Sequence, residues 1–186
     1  MYILLIVILV LIFIVISLYN KLVTLKIAVQ KTWSDIDVQL QRRFDLVPNL
    51  VETVKGYMGH ESETLAKITE LRTSWAKAGT VKEKGELDNQ LTGALKTIMA
   101  VSENYPDLKA NENFLNLSEE LRNTENKIAF SRQFYNDTVG KFNIALQTFP
   151  SNIIASIFNI TANGFDLFEV DNSEARKNVK VDFGNK

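Results

Sequence analysis

The sequence predicts an all-α protein: an N-terminal transmembrane helix followed by an elongated antiparallel helical bundle with long, coiled-coil-like helices. The first part of the chain is apolar and free of charge. Further along, apolar residues recur every three or four positions, which is the helical period. Strand signals are almost absent, apart from a short extended tail expected at 178–183. The expected divisions are a transmembrane anchor at 1–19, a helical bundle at 20–168 and a polar C-terminal tail at 169–186.

The anchor is predicted from the distribution of charge. All 21 Lys and Arg and all 22 Asp and Glu residues lie at or after Lys21. Eighteen helical residues span roughly 27 Å, close to the hydrocarbon thickness of a bilayer. A cleavable signal peptide would need a basic start and a small-residue cleavage site, and neither is present. We therefore favour an uncleaved anchor over a signal peptide or a buried core helix. Its expected membrane-facing residues are Ile3, Leu4, Leu9, Leu11, Phe13 and Ile16.

The charges after the apolar segment predict its orientation. Lys21, Lys26 and Lys31 follow the segment before the first acid, Asp35. Because positive residues accumulate on the cytoplasmic side, the N-terminus is expected outside and the bundle in the cytoplasm, at the cell membrane. Three lysines carry this expectation, and an outward-facing bundle remains the alternative.

Composition and motifs argue against several classes of function. The chain has no cysteine and a net charge of −1, which leaves no thiolate metal site and no basic stripe for nucleic acid. His60-Glu61 begins a zinc-protease pattern, but Thr64 stands where the second histidine is needed. We predict no catalytic residue, cofactor or metal site. An enzyme using Asp35, Asp37 or Glu61 with Tyr57 would require a dry pocket.

Four apolar stripes predict the helices of the bundle. The first crosses Pro48, which should kink the helix or begin a new one; a kink is favoured because the apolar phase continues. A second helix is expected before Gly79, a third at 82–101, and a long one from about 113 to 149. The stripes consist of Trp33, Ile36, Leu40, Phe44, Val47, Val51, Val54 and Met58; Leu65, Ile68, Leu71 and Trp75; Leu87, Leu91, Leu95, Ile98 and Val101; and Phe114, Leu117, Leu121, Thr124, Ile128, Tyr135, Val139, Phe142, Leu146 and Phe149.

Charged and polar residues on these helices are candidate interaction sites. A dense cluster contains Asp37, Arg42 and Arg43, and it is either a solvated face with local ion pairs or a set of partners for a neighbouring helix or subunit. In the second case Glu125 and Arg132 are natural partners. An aromatic residue followed by asparagine occurs twice, seven residues apart, as Tyr135-Asn136 and Phe142-Asn143. Their asparagines either fix helix register or lie on an exposed flank.

The apolar stretch at 152–168 has two interpretations. It is either a short helix and turn that cap the bundle, or an exposed patch for self-association or membrane contact. Phe165 and Phe168 are the residues whose replacement separates these interpretations, since loss of folding would indicate the cap and loss of assembly alone the patch.

A series of short motifs is spread in order along almost the whole chain. They are Tyr19-Asn20-Lys21-Leu22-Val23, Trp33-Ser34-Asp35-Ile36-Asp37-Val38-Gln39-Leu40, Arg42-Arg43, Asp45-Leu46-Val47-Pro48-Asn49-Leu50-Val51, Val54-Lys55-Gly56-Tyr57, His60-Glu61, Tyr105-Pro106-Asp107-Leu108-Lys109-Ala110, Glu125-Asn126-Lys127-Ile128-Ala129, Arg132-Gln133-Phe134-Tyr135-Asn136 and Phe149-Pro150. Through these motifs the chain resembles the LemA family. The resemblance implies one N-terminal membrane helix, a short tail outside, and an elongated antiparallel helical domain, with no established activity or cofactor. Some family members are linked to magnetosome membranes, which implies a role in membrane organisation.

Two functional hypotheses follow. The first is a non-enzymatic, membrane-anchored scaffold that forms homo-oligomers and organises proteins or membrane at the cytoplasmic face. The second is a membrane-tethered binding or sensing module for a single partner, such as a membrane protease or a signalling component. The expected partners are the lipid bilayer, copies of this chain and a membrane protein, and no nucleic acid.

Overall fold

A computed structural model describes residues 1–57 and 62–168 of the chain. Met58 and the His60-Glu61 pair lie outside the described residues, as do the tail at 169–186 and the extended segment expected within it. The described residues form helices and connecting turns, without a strand, so the all-α prediction is confirmed for them. In chain order the helices are α1 (Tyr2–Lys55), α2 (Ser62–Trp75), α3 (Val81–Ser102), α4 (Pro106–Lys109), α5 (Glu112–Gln147) and α6 (Ser151–Ile157).

Helix α1 carries the apolar segment at its N-terminal end. An 18-residue window of this helix has a mean hydropathy of 3.2, and none of the window is buried within the protein. The six expected anchor residues, Ile3 through Ile16, are all exposed. An apolar surface all the way round a helix is typical of a membrane span. The segment therefore fits membrane anchoring.

The same helix continues without interruption into the bundle. It runs for 54 residues and contains Pro48 in its interior. A proline there lacks the amide that would bond to the preceding turn. The neighbouring residues Val47, Leu50 and Val51 are all buried, so the lost hydrogen bond is offset by packing on both sides of the proline. The apolar phase across Pro48 was thus a reliable indicator of one continuous helix.

Helix α5 packs antiparallel against α1. The ring of Trp33 meets that of Tyr135 near the middle of both helices, whereas Arg43 meets Glu125 further from the anchor. At 36 residues, α5 is roughly 54 Å long. Its N-terminus is capped by Asn111, whose side chain accepts a hydrogen bond from the amide of Phe114. The predicted heptad positions of α5 are buried or half-buried, except Phe149, which lies beyond its end and is exposed.

Helices α2 and α3 form a hairpin that covers the part of α1 remote from the anchor. Trp75 of α2 stacks on Phe44 of α1, with ring centroids 4.7 Å apart and planes at 8°. The turn into α3 is fixed by a capping box in which Thr80 and Glu83 bond to each other's backbone amides. Hydrogen bonds from the Gly79 and Thr80 amides to the Glu83 carboxylate lower the pKa of Glu83.

Helix α6 and the segment after it turn back along the bundle. Ile154 and Ala155 of α6 pack on Leu22 of α1. Beyond α6 the chain follows α1 and α5 away from the anchor, and Phe165 contacts the ring of Phe142. Further on, Phe168 reaches Trp33 and Tyr135. The segment therefore covers the seam between the two long helices.

Candidate functional site

A cleft of about 760 Å³ opens between α3 and α5, with α1 below it. Its walls carry both charged and apolar groups, whereas most of the remaining bundle interior is aliphatic and aromatic. Polar side chains gathered in a concavity are typical of binding sites. The lining residues are Arg43, Asp88, Asn89, Thr92, Glu125, Ile128, Ala129, Arg132, Gln133, Asn136, Asp137 and Phe168.

Arg43 is the charged residue at the base of the cleft. It lies on the α5-facing side of α1, one position before Phe44, and only 1% of its surface is exposed. Its guanidinium donates from Nη1 to Asp88 Oδ1 at 2.7 Å and to Thr92 Oγ1 at 2.9 Å. Nη2 lies 3.4 Å from a carboxylate oxygen of Glu125. A guanidinium suits this position because its planar fork can bind acceptors on two helices at once.

Arg132 of α5 shares the same aspartate from the other side. Its Nη2 donates to Asp88 Oδ2 at 2.9 Å, and its Nη1 donates to Asn89 Oδ1 at 2.9 Å. Burial lowers the pKa of Arg132, Asp88 raises it, and the positive charge of Arg43 lowers it further. Two guanidinium groups are therefore balanced by Asp88 and Glu125, and Asp88 is the residue that joins α1, α3 and α5.

Both arginines have a buried Nε donor. The Nε atoms of Arg43 and Arg132 are buried and have no hydrogen-bond partner among the described residues. A buried, unsatisfied donor costs about 1–3 kcal/mol, and such groups are uncommon in folded proteins. The hydrogen-bonding capacity of the cluster is thus only partly satisfied by the described residues. A ligand with oxygen acceptors would suit the cleft better than a purely apolar one.

Phe168 forms the aromatic wall of the cleft. Its ring centroid lies 4.7 Å from the Arg132 guanidinium carbon, in a cation–π contact, and 5.5 Å from the Tyr135 ring. The ring also approaches α3 at Gly85, where a Cβ atom would come within 3.0 Å of it. Asn136 fixes the backbone of Phe168 by accepting from its amide and donating to its carbonyl, both at 2.9 Å.

Lys84 links the cleft to the aromatic core. Its ammonium group pairs with Asp37 of α1 and lies 4.7 Å from the centroid of Trp75. Trp33 is on another side of the same ammonium, at 5.7 Å. An ammonium between two indoles and a carboxylate holds α3 against α1 electrostatically. Asp37 was singled out from the sequence, whereas Lys84 was not.

The structure separates the remaining predicted interaction residues into distinct places. Arg42 forms an exposed ion pair with Glu120 at 3.4 Å, away from Arg43. Phe142 is buried, and Asn143 beside it is half-buried. Asn136 bonds the backbone of Phe168 in the segment after α6, and both Phe165 and Phe168 of that segment are half-buried. The proposed partnership of Arg43 with Glu125 is observed, whereas Arg132 reaches Arg43 only through Asp88.

Sequence reasoning missed Asp88, Asn89 and Thr92. Asp88 is 2% exposed, although it directly follows Leu87 in a helix rich in charged residues. Its position three residues before Leu91 and seven before Leu95 places it beside the apolar stripe of α3. Asp88 lies beside the apolar stripe of α3, and Arg43 lies beside the apolar stripe of α1. This combination of a carboxylate and an arginine is the signal that could have indicated their ion pair.

Tyr135 offers a test of how the site is packed. The residue is fully buried, its hydroxyl has no hydrogen-bond partner among the described residues, and burial together with Asp166 raises its pKa to about 12. We expect Tyr135→Phe to keep or raise the free energy of unfolding, by up to about 1 kcal/mol, because an unsatisfied hydroxyl is removed. Denaturant unfolding followed by tryptophan fluorescence measures the change.

The pH dependence of stability provides the control for this variant. A raised tyrosine pKa means that the folded state holds its proton after the unfolded chain has lost it. Stability conferred by Tyr135 should therefore fall as the pH rises from about 10 to about 12, and Tyr135→Phe should remove that loss. Tyr57→Phe, which removes a hydroxyl bonded to Asn111, serves as the matched variant. A destabilised Tyr135→Phe would show that its hydroxyl has a partner in solution.

The helices and cleft together define a class of protein. An exposed apolar helix precedes a charged bundle, and within 1–57 and 62–168 no group of three histidine, aspartate or glutamate side chains could hold a metal ion. This is a membrane-associated helical protein. The model of the LemA family matches residues 32–183, and Protein LemA of Metamycoplasma hominis is 30% identical over 88% of this chain and 78% of its own. The chain therefore belongs to the LemA family.

Magnetosome proteins are more distant relatives. Magnetosome protein MamQ 2 of Paramagnetospirillum magneticum is 26% identical over 75% of this chain. Magnetosome protein MamQ of Magnetospirillum gryphiswaldense is 24% identical over the same share. The matched region covers 61% of the length of each of these relatives, so they contain sequence with no counterpart in the match.

Proposed function

We propose that this protein is a non-enzymatic, membrane-anchored scaffold whose bundle associates with other copies of itself and organises proteins or membrane. The observation that carries the proposal is a pair of exposed aromatic residues on α5. Phe130 and Phe134 of α5 are 76% and 61% exposed. They are four residues apart and so lie on one face of the helix. Large apolar side chains grouped in this way mark interaction surfaces.

The neighbouring face of α1 extends this surface. Val38 is 61% exposed and lies one turn before Arg42, whose partner Glu120 is on α5. Arg43 of α1 meets Glu125 of the antiparallel α5. Val38 is five residues before Arg43, and Phe130 is five residues after Glu125. Val38 and Phe130 therefore lie at the same level of the bundle. We call Val38, Phe130 and Phe134 the α1/α5 face. It lies away from α3, because Arg132, two residues from both phenylalanines, points to α3.

Charge on the same face suits pairing between copies. Exposed Asp35 and Asp45 flank Val38 on α1, and exposed Lys127 and Lys141 flank the phenylalanines on α5. Two copies anchored in one bilayer have their bundles parallel. A two-fold axis along the membrane normal would then place α1 of each copy against α5 of the other, at the same height above the membrane. Acidic and basic side chains would then meet around a central apolar contact, as in the rim of an interface.

The proposed location rests on the apolar part of α1 and the lysines that follow it. We propose that the apolar part of α1 spans the cell membrane once, with Lys21, Lys26 and Lys31 keeping the bundle in the cytoplasm. Digestion of the bundle by protease added to intact cells would place the bundle outside and contradict this orientation. The relatives named as magnetosome proteins support a role at a membrane.

The mass of the full-length protein in detergent tests self-association. We expect a discrete oligomer by light scattering, and we expect Phe130→Ser combined with Phe134→Ser to reduce it to a monomer without loss of helicity. Leu115→Ser, at the far end of the same helix and with half of its surface exposed, should leave the mass unchanged. A wild-type protein that stays monomeric at every concentration would contradict the scaffold proposal.

The cleft supports a second candidate function, a binding module for one partner. Its mixed charges, and the two Nε donors that lack a partner within 1–57 and 62–168, suit a partner with oxygen acceptors, such as a segment of a membrane protein. A monomeric wild type that co-purifies with a single other protein in equal amounts would favour this alternative. Substitution of Asn89 or Gln133, which line the cleft, should then release the partner.

A further inference from the structure

A second apolar surface lies at the opposite end of the bundle from the α2–α3 hairpin. We call Phe149, Ile153, Ile157 and Phe158 the α6 patch. Phe149 is 75% exposed, Ile157 is 64% exposed, and the other two are about half exposed. Ile153 and Ile157 are four residues apart, on the face of α6 opposite the buried Ile154 and Ala155. Soluble proteins rarely expose contiguous apolar residues of this size.

The α6 patch is placed beside the apolar segment of α1. The buried face of α6 packs on Leu22, with Leu18 alongside. The ring of Phe158 lies 4.7 Å from the ring of Tyr19, at the point where the apolar segment ends. Aromatic side chains are enriched at the boundary between hydrocarbon and water. If residues up to about Tyr19 lie in the bilayer, the α6 patch is at the level of the membrane surface.

The charge distribution around α6 agrees with this placement. No charged residue occurs between Lys141 and Asp166, although charged residues make up 23% of the chain. Inserting this stretch into a membrane boundary therefore desolvates no ionised side chain. Lys21 follows Tyr19 by two residues and would lie among the headgroups, where anionic lipids attract it.

We propose that α6 is a second membrane contact, which inserts Phe149, Ile153, Ile157 and Phe158 into the bilayer boundary next to the anchor. The proposal rests on the proposed membrane span of α1. Burial of each aliphatic side chain in the boundary region is favourable in proportion to its apolar area. With two contacts, the bundle is held at a fixed angle to the membrane and cannot rotate about the anchor alone. Such a fixed angle would present the same side of the bundle to neighbouring copies.

Site-directed spin labelling of the full-length chain tests the proposal. The chain has no cysteine, so a single introduced cysteine is labelled uniquely. Ile157→Cys and Ile153→Cys probe the patch, Val10→Cys probes the anchor, and Leu115→Cys, which is exposed at the far end of α5, probes water. Each nitroxide is examined in vesicles of phosphatidylcholine and phosphatidylglycerol, with oxygen as the lipid-soluble relaxant and a nickel chelate as the aqueous one. Each labelled protein is also diluted with unlabelled protein.

We expect the oxygen-to-nickel collision ratio at positions 153 and 157 to exceed that at 115 several-fold and to stay below that at 10, which lies deeper in the bilayer. A ratio equal to that at 115, with position 10 in lipid, would overturn the α6 contact and leave the anchor intact. Position 10 in water would overturn both proposals. Labels at 153 and 157 that are shielded from both relaxants, with line broadening that disappears on dilution, would mean that another copy covers the patch and would overturn the membrane contact.

Discussion

Replacement of Asp88 by leucine should destabilise the protein by about 3–5 kcal/mol, the cost of leaving a buried charge without its partner. Asp88 accepts hydrogen bonds from Arg43 at 2.7 Å and from Arg132 at 2.9 Å, and it is almost completely buried. Without it, two guanidinium groups face each other across the base of the cleft. Glu125 remains 3.4 Å from Arg43, but it is partly exposed and cannot replace both contacts.

Denaturant unfolding of the full-length protein in detergent measures this loss. The fluorescence of Trp33 and Trp75, the two tryptophans of the chain, reports on the bundle and not on the anchor. Glu120→Leu breaks the exposed ion pair with Arg42 and should cost less than about 1 kcal/mol. Adding Arg43→Met to Asp88→Leu should recover part of the stability, because one unpaired charge is removed as well. Equal costs for Asp88→Leu and Glu120→Leu would show that the cluster is hydrated and not buried.

The helices could be predicted from the sequence because their apolar spacing is long and regular. The stripe from Ile36 to Val54 is buried as expected, and the predicted third helix at 82–101 corresponds to Val81–Ser102. The long helix was expected to end at Phe149 and ends at Gln147 instead. Phe149 fits the heptad in sequence, but the chain leaves the helix before it and the side chain is exposed.

The site could be predicted only in part. Arg43 was recognised as a residue suited to pairing between helices, and Glu125 was named as its partner. Asp88 was not, because its burial results from the way the α2–α3 hairpin folds over α1, although its spacing to Leu91 and Leu95 places it beside the apolar stripe of α3. Gly85 illustrates the same limit: its function is to let the Phe168 ring approach α3, which becomes evident only when both are placed.

Phe168→Ala is expected to have the second large effect and to lower the free energy of unfolding by about 2–3 kcal/mol. This is less than the roughly 3–5 kcal/mol typical of a fully buried phenylalanine, because the residue is only half-buried. The ring contacts Trp33 at 6.0 Å and Tyr135 at 5.5 Å, and it covers the Arg132 guanidinium. Removing it leaves a gap in the aromatic wall and admits water to the arginine–aspartate cluster. We therefore also expect the fluorescence of Trp33 to shift to longer wavelength in the folded variant.

Leu167→Ala is the matched control for this prediction. Leu167 is the preceding residue in the same segment, and about half of its surface is exposed. Its truncation should change the free energy of unfolding by less than about 0.5 kcal/mol, as for most surface substitutions. If Phe168→Ala instead unfolds at the wild-type denaturant concentration but lowers the mass of the oligomer, Phe168 belongs to an interface between copies.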